Sequence, residues 1–115
     1  MIGYIKSKMR NQNGFLIFFI FLIIHLIPLF SVDILLTLDG PSHLYNAKLF
    51  NELLIGNDLV SELYQINTEL VPNYLGHLIL SFLLWLTTPI LALKIIHLVY
   101  VVGLALAFRR LVLLL

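Results

Sequence analysis

Hydrophobic positions along this chain gather into two long blocks that flank one polar stretch. The first block, GFLIFFIFLIIHLIPLFSV, covers residues 14–32 and carries no charge. Its 19 residues reach roughly 28 Å as a helix at about 1.5 Å per residue, close to the hydrocarbon thickness of a bilayer. The pattern predicts a transmembrane helix over 14–32. The second block runs from Tyr74 to the C-terminus and is interrupted by Thr87-Thr88-Pro89 and by Lys94. Its first part, 74–86, is too short to cross an average bilayer. It carries polar residues at Asn73, His77, Ser81 and Thr88, close to the helical period. That stripe predicts an interfacial or re-entrant helix over 74–88, lying at the outer interface or against other protein. Residues 89–108 are long enough to cross alone.

Composition narrows the class. The 115 residues are 61% hydrophobic and 11% charged, against about 25% charged in an ordinary soluble domain. So few polar side chains cannot cover the surface of a small soluble globule. Disorder is excluded for the same reason, because disordered chains are polar and charged. The expected class is an all-α integral membrane protein. A net charge of +1 with no clustered basic face argues against nucleic acid. Cysteine is absent, which removes disulfides, thiolate metal sites and cysteine nucleophiles.

Charge placement predicts the topology. All six acids, Asp33, Asp39, Glu52, Asp58, Glu62 and Glu69, lie between the two apolar blocks. Lys6, Lys8 and Arg10 stand just before the first block, so residues 1–13 form a basic cytoplasmic start and the acidic segment lies outside. The rival reading, a signal peptide, lacks an A-x-A-like cleavage site in PLFSVDILL. Two crossings would return Arg109 and Arg110 to the cytoplasm, with 109–115 as a cytoplasmic end and Lys94 snorkelling near the outer surface. Three crossings, which would leave the arginine pair outside, are the alternative. The apolar run 111–115 has no stop signal and reads as the front end of a longer polytopic protein.

The outer segment, 33–73, is long for a connector between membrane helices. Pro41 suits a first helical position, with Gly40 or Asp39 as cap, and Gly56 suits the residue past the end. These signals predict a helix over 41–54. Leu44, Ala47, Phe50 and Leu54 form its apolar face, while Ser42, His43, Asn46, Lys48 and Glu52 cover much of the rest. The helix is amphipathic and suited to the outer leaflet. A short helical turn is expected around 59–64, with Glu62 and Glu69 solvated. Pro72 marks the return to the membrane.

Asp39 stands where the chain leaves the first span, at the N-terminus of that amphipathic helix, where the macrodipole favours the carboxylate. His43 follows one turn on, and Asn46 shares a similar azimuth. A carboxylate there could act as general base toward a hydroxyl, or hold a metal. It could equally be a turn and cap residue, since Asp-Gly-Pro-Ser is an ordinary turn sequence. His43 alone reads as a surface or packing histidine. His25 and His97, within apolar spans, are expected to make buried polar contacts between helices. His77 lies on the polar stripe. No H-E-x-x-H, Gly-rich phosphate loop or G-x-S-x-G occurs.

The order of these elements resembles the front end of the GT-C superfamily of integral-membrane glycosyltransferases. Asp39-Gly40-Pro41-Ser42-His43-Leu44-Tyr45-Asn46 is similar to a D-G-x-x-H variant of bacterial members, and Pro72-Asn73-Tyr74-Leu75-Gly76-His77 is similar to their second marker. The resemblance covers roughly residues 14–110 and rests on short motifs. It implies many membrane helices, and transfer of a sugar from a polyprenyl-phosphate carrier to an acceptor at the outer face of the bacterial inner membrane. It also implies an acid in the first outer loop that acts as base or holds a divalent cation; that acid is Asp39. His43, Asn46 and His77 become substrate-binding candidates. Many members show two adjacent acids or Asp-x-Asp, whereas Asp39 precedes glycine, so no residue is assigned to a metal.

Two functional classes follow from the sequence. One is a glycosyltransferase whose partners are the bilayer, a lipid-linked sugar donor and other membrane subunits. The other is a small non-catalytic membrane anchor or assembly subunit, in which Asp39 only caps. A transporter is less supported, because the spans hold histidines but no acid.

Overall fold

The computed structural model describes residues 2–34, 37–69 and 72–114, with side chains from residue 14 onward. Every regular element among these residues is a helix: α1 Ile2–Ser31, α2 Gly40–Leu54, α3 Asp58–Ser61, α4 Tyr74–Leu86 and α5 Pro89–Leu114. Residues 35, 36, 70 and 71 of the predicted outer segment, and the basic side chains of Lys6, Lys8 and Arg10, lie outside the description. The chain forms two compact units, one made of the residues up to Val32 and from Leu98, the other of Asp33–His97.

Gly14–Ser31 within α1, and α5, are long and apolar enough to span a membrane, with only 11% of each stretch buried. Both helices outrun the predicted spans. Nothing between Ile2 and Gly14 breaks the helix, so the expected basic start is continuous with the first span. No breaker follows Phe108, so the second continues to Leu114. Pro28 sits inside α1 and leaves the Ile24 carbonyl without its helical donor. Farther along, the Ser31 hydroxyl donates to the Ile27 carbonyl at 2.7 Å.

In the first unit, Leu22 and Leu29 are buried, two turns apart on one face of α1. The Arg109 guanidinium lies over the rings of Phe15 and Phe18, 5.1 and 5.3 Å from their centroids. This cation–π contact sets the late part of α5 level with the first turns of the span Gly14–Ser31.

In the second unit, α2 packs along α4. Ala47 and Ala92 are fully buried beside Leu80 and Leu93, with Leu44, Leu83, Leu84 and Ile96 around them. The two alanines let neighbouring backbones approach closely. Polar groups cross this interface as well. The Asn51 side-chain amide donates to the Ser81 carbonyl at 3.0 Å, and the Ser81 hydroxyl donates to Asn51 Oδ1. Ser81 is buried, so the polar stripe of α4 faces α2 rather than water. The apolar face predicted for the leaflet meets α4 through Leu44 and Ala47, while Leu54 stays exposed. Burial against α4 replaces burial in lipid for that part of the helix.

The predicted bounds of α2 are close to those found, and Gly56 adopts φ +73, the left-handed conformation that ends a helix at little cost with glycine. The short turn around 59–64 is α3, capped by Asn57 Oδ1, which accepts from the Val60 amide at 3.4 Å. Asn57 also donates to Glu52 Oε2 at 2.9 Å, fastening α3 to the end of α2. Glu62 and Glu69 are exposed.

Candidate functional site

The local sequence fixes Asp39 at the N-cap of α2, ahead of Gly40 and Pro41. Its carbonyl accepts the His43 amide at 3.0 Å. Its carboxylate makes no capping hydrogen bond. Asp39 thus holds the cap position expected of it, but through its backbone: the exposed carboxylate takes no part in starting the helix. Gly40 is required beside it, because a Cβ there would collide with the Thr37 hydroxyl. That hydroxyl is buried and has no hydrogen-bond partner among the described residues.

A cleft of about 330 Å³ opens at this helix start, lined by Thr37, Asp39, His43, Asn73 and His97 among apolar Leu80, Leu93 and Ile96. A second cleft, about 230 Å³, lies on α2 and α4 beside the segment after α3. Asn46, Phe50, Tyr64, Asn67, Tyr74 and His77 line it. The four sequence candidates are thus divided. Asp39 and His43 share the first cleft; Asn46 and His77 share the second. Asn46 does not stand beside Asp39 as its azimuth suggested.

One contact joins the two groups. His43 Nδ1 and His77 Nε2 are 2.8 Å apart, with ring centroids at 5.0 Å, so one ring donates and the other accepts. Burial, and then the nearby His43 charge, hold the His77 imidazole below its ordinary pKa of 6.5. The Tyr45 hydroxyl and that of Tyr64, which lines the second cleft, are 3.3 Å apart, tying α2 to the segment after α3. That bond, with the Tyr64 charge, raises the Tyr45 phenol above its usual value.

The lowered His77 pKa gives a stability prediction with a definite sign. The unfolded chain binds a proton near pH 6.5 that the folded chain resists until lower pH, so stability rises with pH across that window. The α2–α4 packing is expected to hold above pH 6.5 and to weaken as pH falls toward the lowered folded value. Amide exchange of α2 and α4 between pH 8 and pH 5, corrected for intrinsic rates, checks this. The His77→Gln variant should lack the added loosening.

His97, read from the sequence as a buried interhelix contact and not as a site residue, lines the Asp39 cleft. Its Nδ1–H donates to the Leu93 carbonyl at 2.8 Å within α5. His25 likewise bonds the Phe21 carbonyl of its own helix at 2.8 Å. Both were expected to contact other helices. An imidazole Nδ1 reaches the carbonyl four residues back, which satisfies one ring nitrogen without a partner helix. Among the described residues, no group of three His, Asp or Glu side chains is placed to hold a metal ion. Comparison with protein-family models, with curated proteins and with solved structures gives no match to this chain.

Proposed function

We propose that this chain is integral to a membrane and carries the outer-face acid and cleft of a glycosyltransferase that draws its sugar from a polyprenyl-phosphate carrier. In this reading the membrane is the bacterial inner membrane, the N-terminus is cytoplasmic, and α2 to α4 lie outside. The single observation that carries the reading is the Asp39 carboxylate. It is exposed at a helix start, unused by the cap, and faces a cleft that also presents two imidazoles. The similarity of its flanking residues to the D-G-x-x-H variant supplies the reaction class. The Arg109 contact with Phe15 and Phe18 supports two crossings with both ends on one side.

The chemistry asked of these residues is limited. An acceptor hydroxyl attacks the anomeric carbon as the bond from that carbon to the phosphate oxygen breaks. Asp39 takes the hydroxyl proton, a role that contributes about 10²–10⁴-fold in rate. Charge grows on the leaving phosphate, and a protonated imidazole at the same cleft would offset it. Asp39 followed by Gly40, and the lack of a three-ligand cluster among the described residues, do not fit the divalent cation that the resemblance implies. No step here is routed through one.

The test uses membranes containing the full protein and a panel of polyprenyl-phosphate-linked labelled sugars. Transfer of label to an acceptor in the outer compartment is expected for at least one donor. Failure to consume any donor, with the protein present and folded, overturns the proposal.

A further inference from the structure

The two clefts of the outer unit are separated by the α2–α4 interface, and the His43–His77 pair is the polar contact that bridges them at this level. His43 lines the cleft of Asp39, and His77 lines the cleft of Tyr64 and Asn67. We propose that His43 and His77 form a proton relay through which a proton taken up in the Asp39 cleft is released in the other. The proposal deepens the sugar-transfer reading and rests on it for the source of the proton.

An imidazole is suited to this work because it can gain a proton at one nitrogen while losing one at the other. The pair begins with protons on His43 Nδ1 and His77 Nδ1. His43 Nε2 gains a proton from the cleft that it lines together with the Asp39 carboxyl, the group that releases it and returns to carboxylate. The His43 Nδ1–H bond breaks as an N–H bond forms on His77 Nε2. The His77 Nδ1 proton passes to solvent in the second cleft. One proton has moved, nothing is oxidised or reduced, and both rings end in the opposite tautomer. The pair is reset when the two rings part and each trades its Nε2 proton for one on Nδ1 with solvent in its own cleft, so that the reset carries no proton back.

The surroundings suit such a transfer. The other titratable groups lining the two clefts are Asp39 and His97 on one side, and Tyr64 and Tyr74 on the other. Neither cleft is lined by a lysine, arginine or glutamate that would pin a charge on the pair. Burial disfavours a resting charge on His77, so a proton arriving there is passed on rather than kept.

The direct test is nitrogen NMR of the full chain with 15N-labelled histidine. The relay predicts hydrogen-bond coupling between His43 Nδ1 and His77 Nε2. It also predicts shifts for all four ring nitrogens that are averaged between protonated and unprotonated forms. Fixed tautomers, with each nitrogen fully protonated or fully bare from pH 8 to pH 6, overturn the relay whether or not sugar is transferred. In the transfer assay, His77→Ala should lower the rate about 10-fold or more, and added imidazole should recover it. His77→Gln tests folding, because it keeps a hydrogen-bonding side chain yet cannot relay, and it should stay folded and slow. A full rate in His77→Gln, or a loss that imidazole leaves untouched in a folded His77→Ala protein, also overturns the relay. Absence of transfer in the unsubstituted protein would instead overturn the sugar-transfer reading, while the nitrogen spectra still decide the relay.

Discussion

If the proposed sugar transfer runs through Asp39, the Asp39→Asn variant is expected to lose it by about 10²–10⁴-fold while its helices and their packing stay as they are. The size of the loss follows from the role: the amide cannot accept the hydroxyl proton, although it has nearly the same shape. Preservation of the fold follows from the geometry. The Asp39 carboxylate makes no cap hydrogen bond, and the contact that starts α2 runs through its backbone carbonyl to the His43 amide. Asn is itself a good N-cap residue, so α2 loses nothing by the change. Circular dichroism and amide exchange establish that the variant is folded, and transfer of labelled sugar measures the loss. Undiminished transfer in that variant would remove Asp39 from the chemistry and leave the non-catalytic anchor as the better reading.

A second large effect is expected at Leu80. It is 3% exposed, between fully buried Ala47 and Ala92 and against Leu93. Leu80→Ala leaves a cavity that these short side chains cannot fill. Such truncations cost about 2–5 kcal/mol when the side chain leaves water on folding. Where the alternative environment is lipid, the transfer part shrinks and lost packing remains. The lower end, about 2 kcal/mol, is therefore the expected cost, equivalent to about 30-fold in an equilibrium. Amide exchange in α2 and α4 should speed up by that factor. Leu86→Ala, at a position 65% exposed, should change it little.

Much of the helical organisation was legible because its signals are local. Pro41 and Gly56 bracket α2, and a mostly apolar run of thirteen residues ending before Thr87-Thr88-Pro89 gives α4. Apolar runs gave the two long helices, and the helices reach past the predicted spans, to Ile2 and Leu114, because no breaker stands there. The packing of α2 on α4 was not legible. His43 and His77 are 34 positions apart, and each polar stripe by itself reads as a face turned to water or lipid headgroups. A faint signal existed. His43, Ala47 and Asn51 repeat every fourth residue, as do His77 and Ser81, which makes two polar ladders, the first with a small residue between its polar members. Only their juxtaposition turns Asn51 and Ser81 into mutual partners and divides the candidate residues between two clefts.

Asp39 illustrates a different limit. Its position at a helix start was readable, but a cap and a free carboxylate have the same sequence, and only side-chain geometry separates them. His97 was obscured by its apolar neighbours. In α5 it falls one turn after Leu93, on the face that closes the Asp39 cleft.

The placement of 33–73 outside the membrane underlies every chemical step assigned to Asp39. The chain has three glutamates, Glu52, Glu62 and Glu69, and all lie in that segment, with Glu62 exposed in the turn after α3. A glutamate-specific protease applied to sealed vesicles of known orientation therefore reads the sidedness of this segment alone. Cleavage beside Glu62 in right-side-out vesicles, with protection in inside-out ones, is the predicted result. Cleavage only in inside-out vesicles would put Asp39 on the cytoplasmic side and contradict the account.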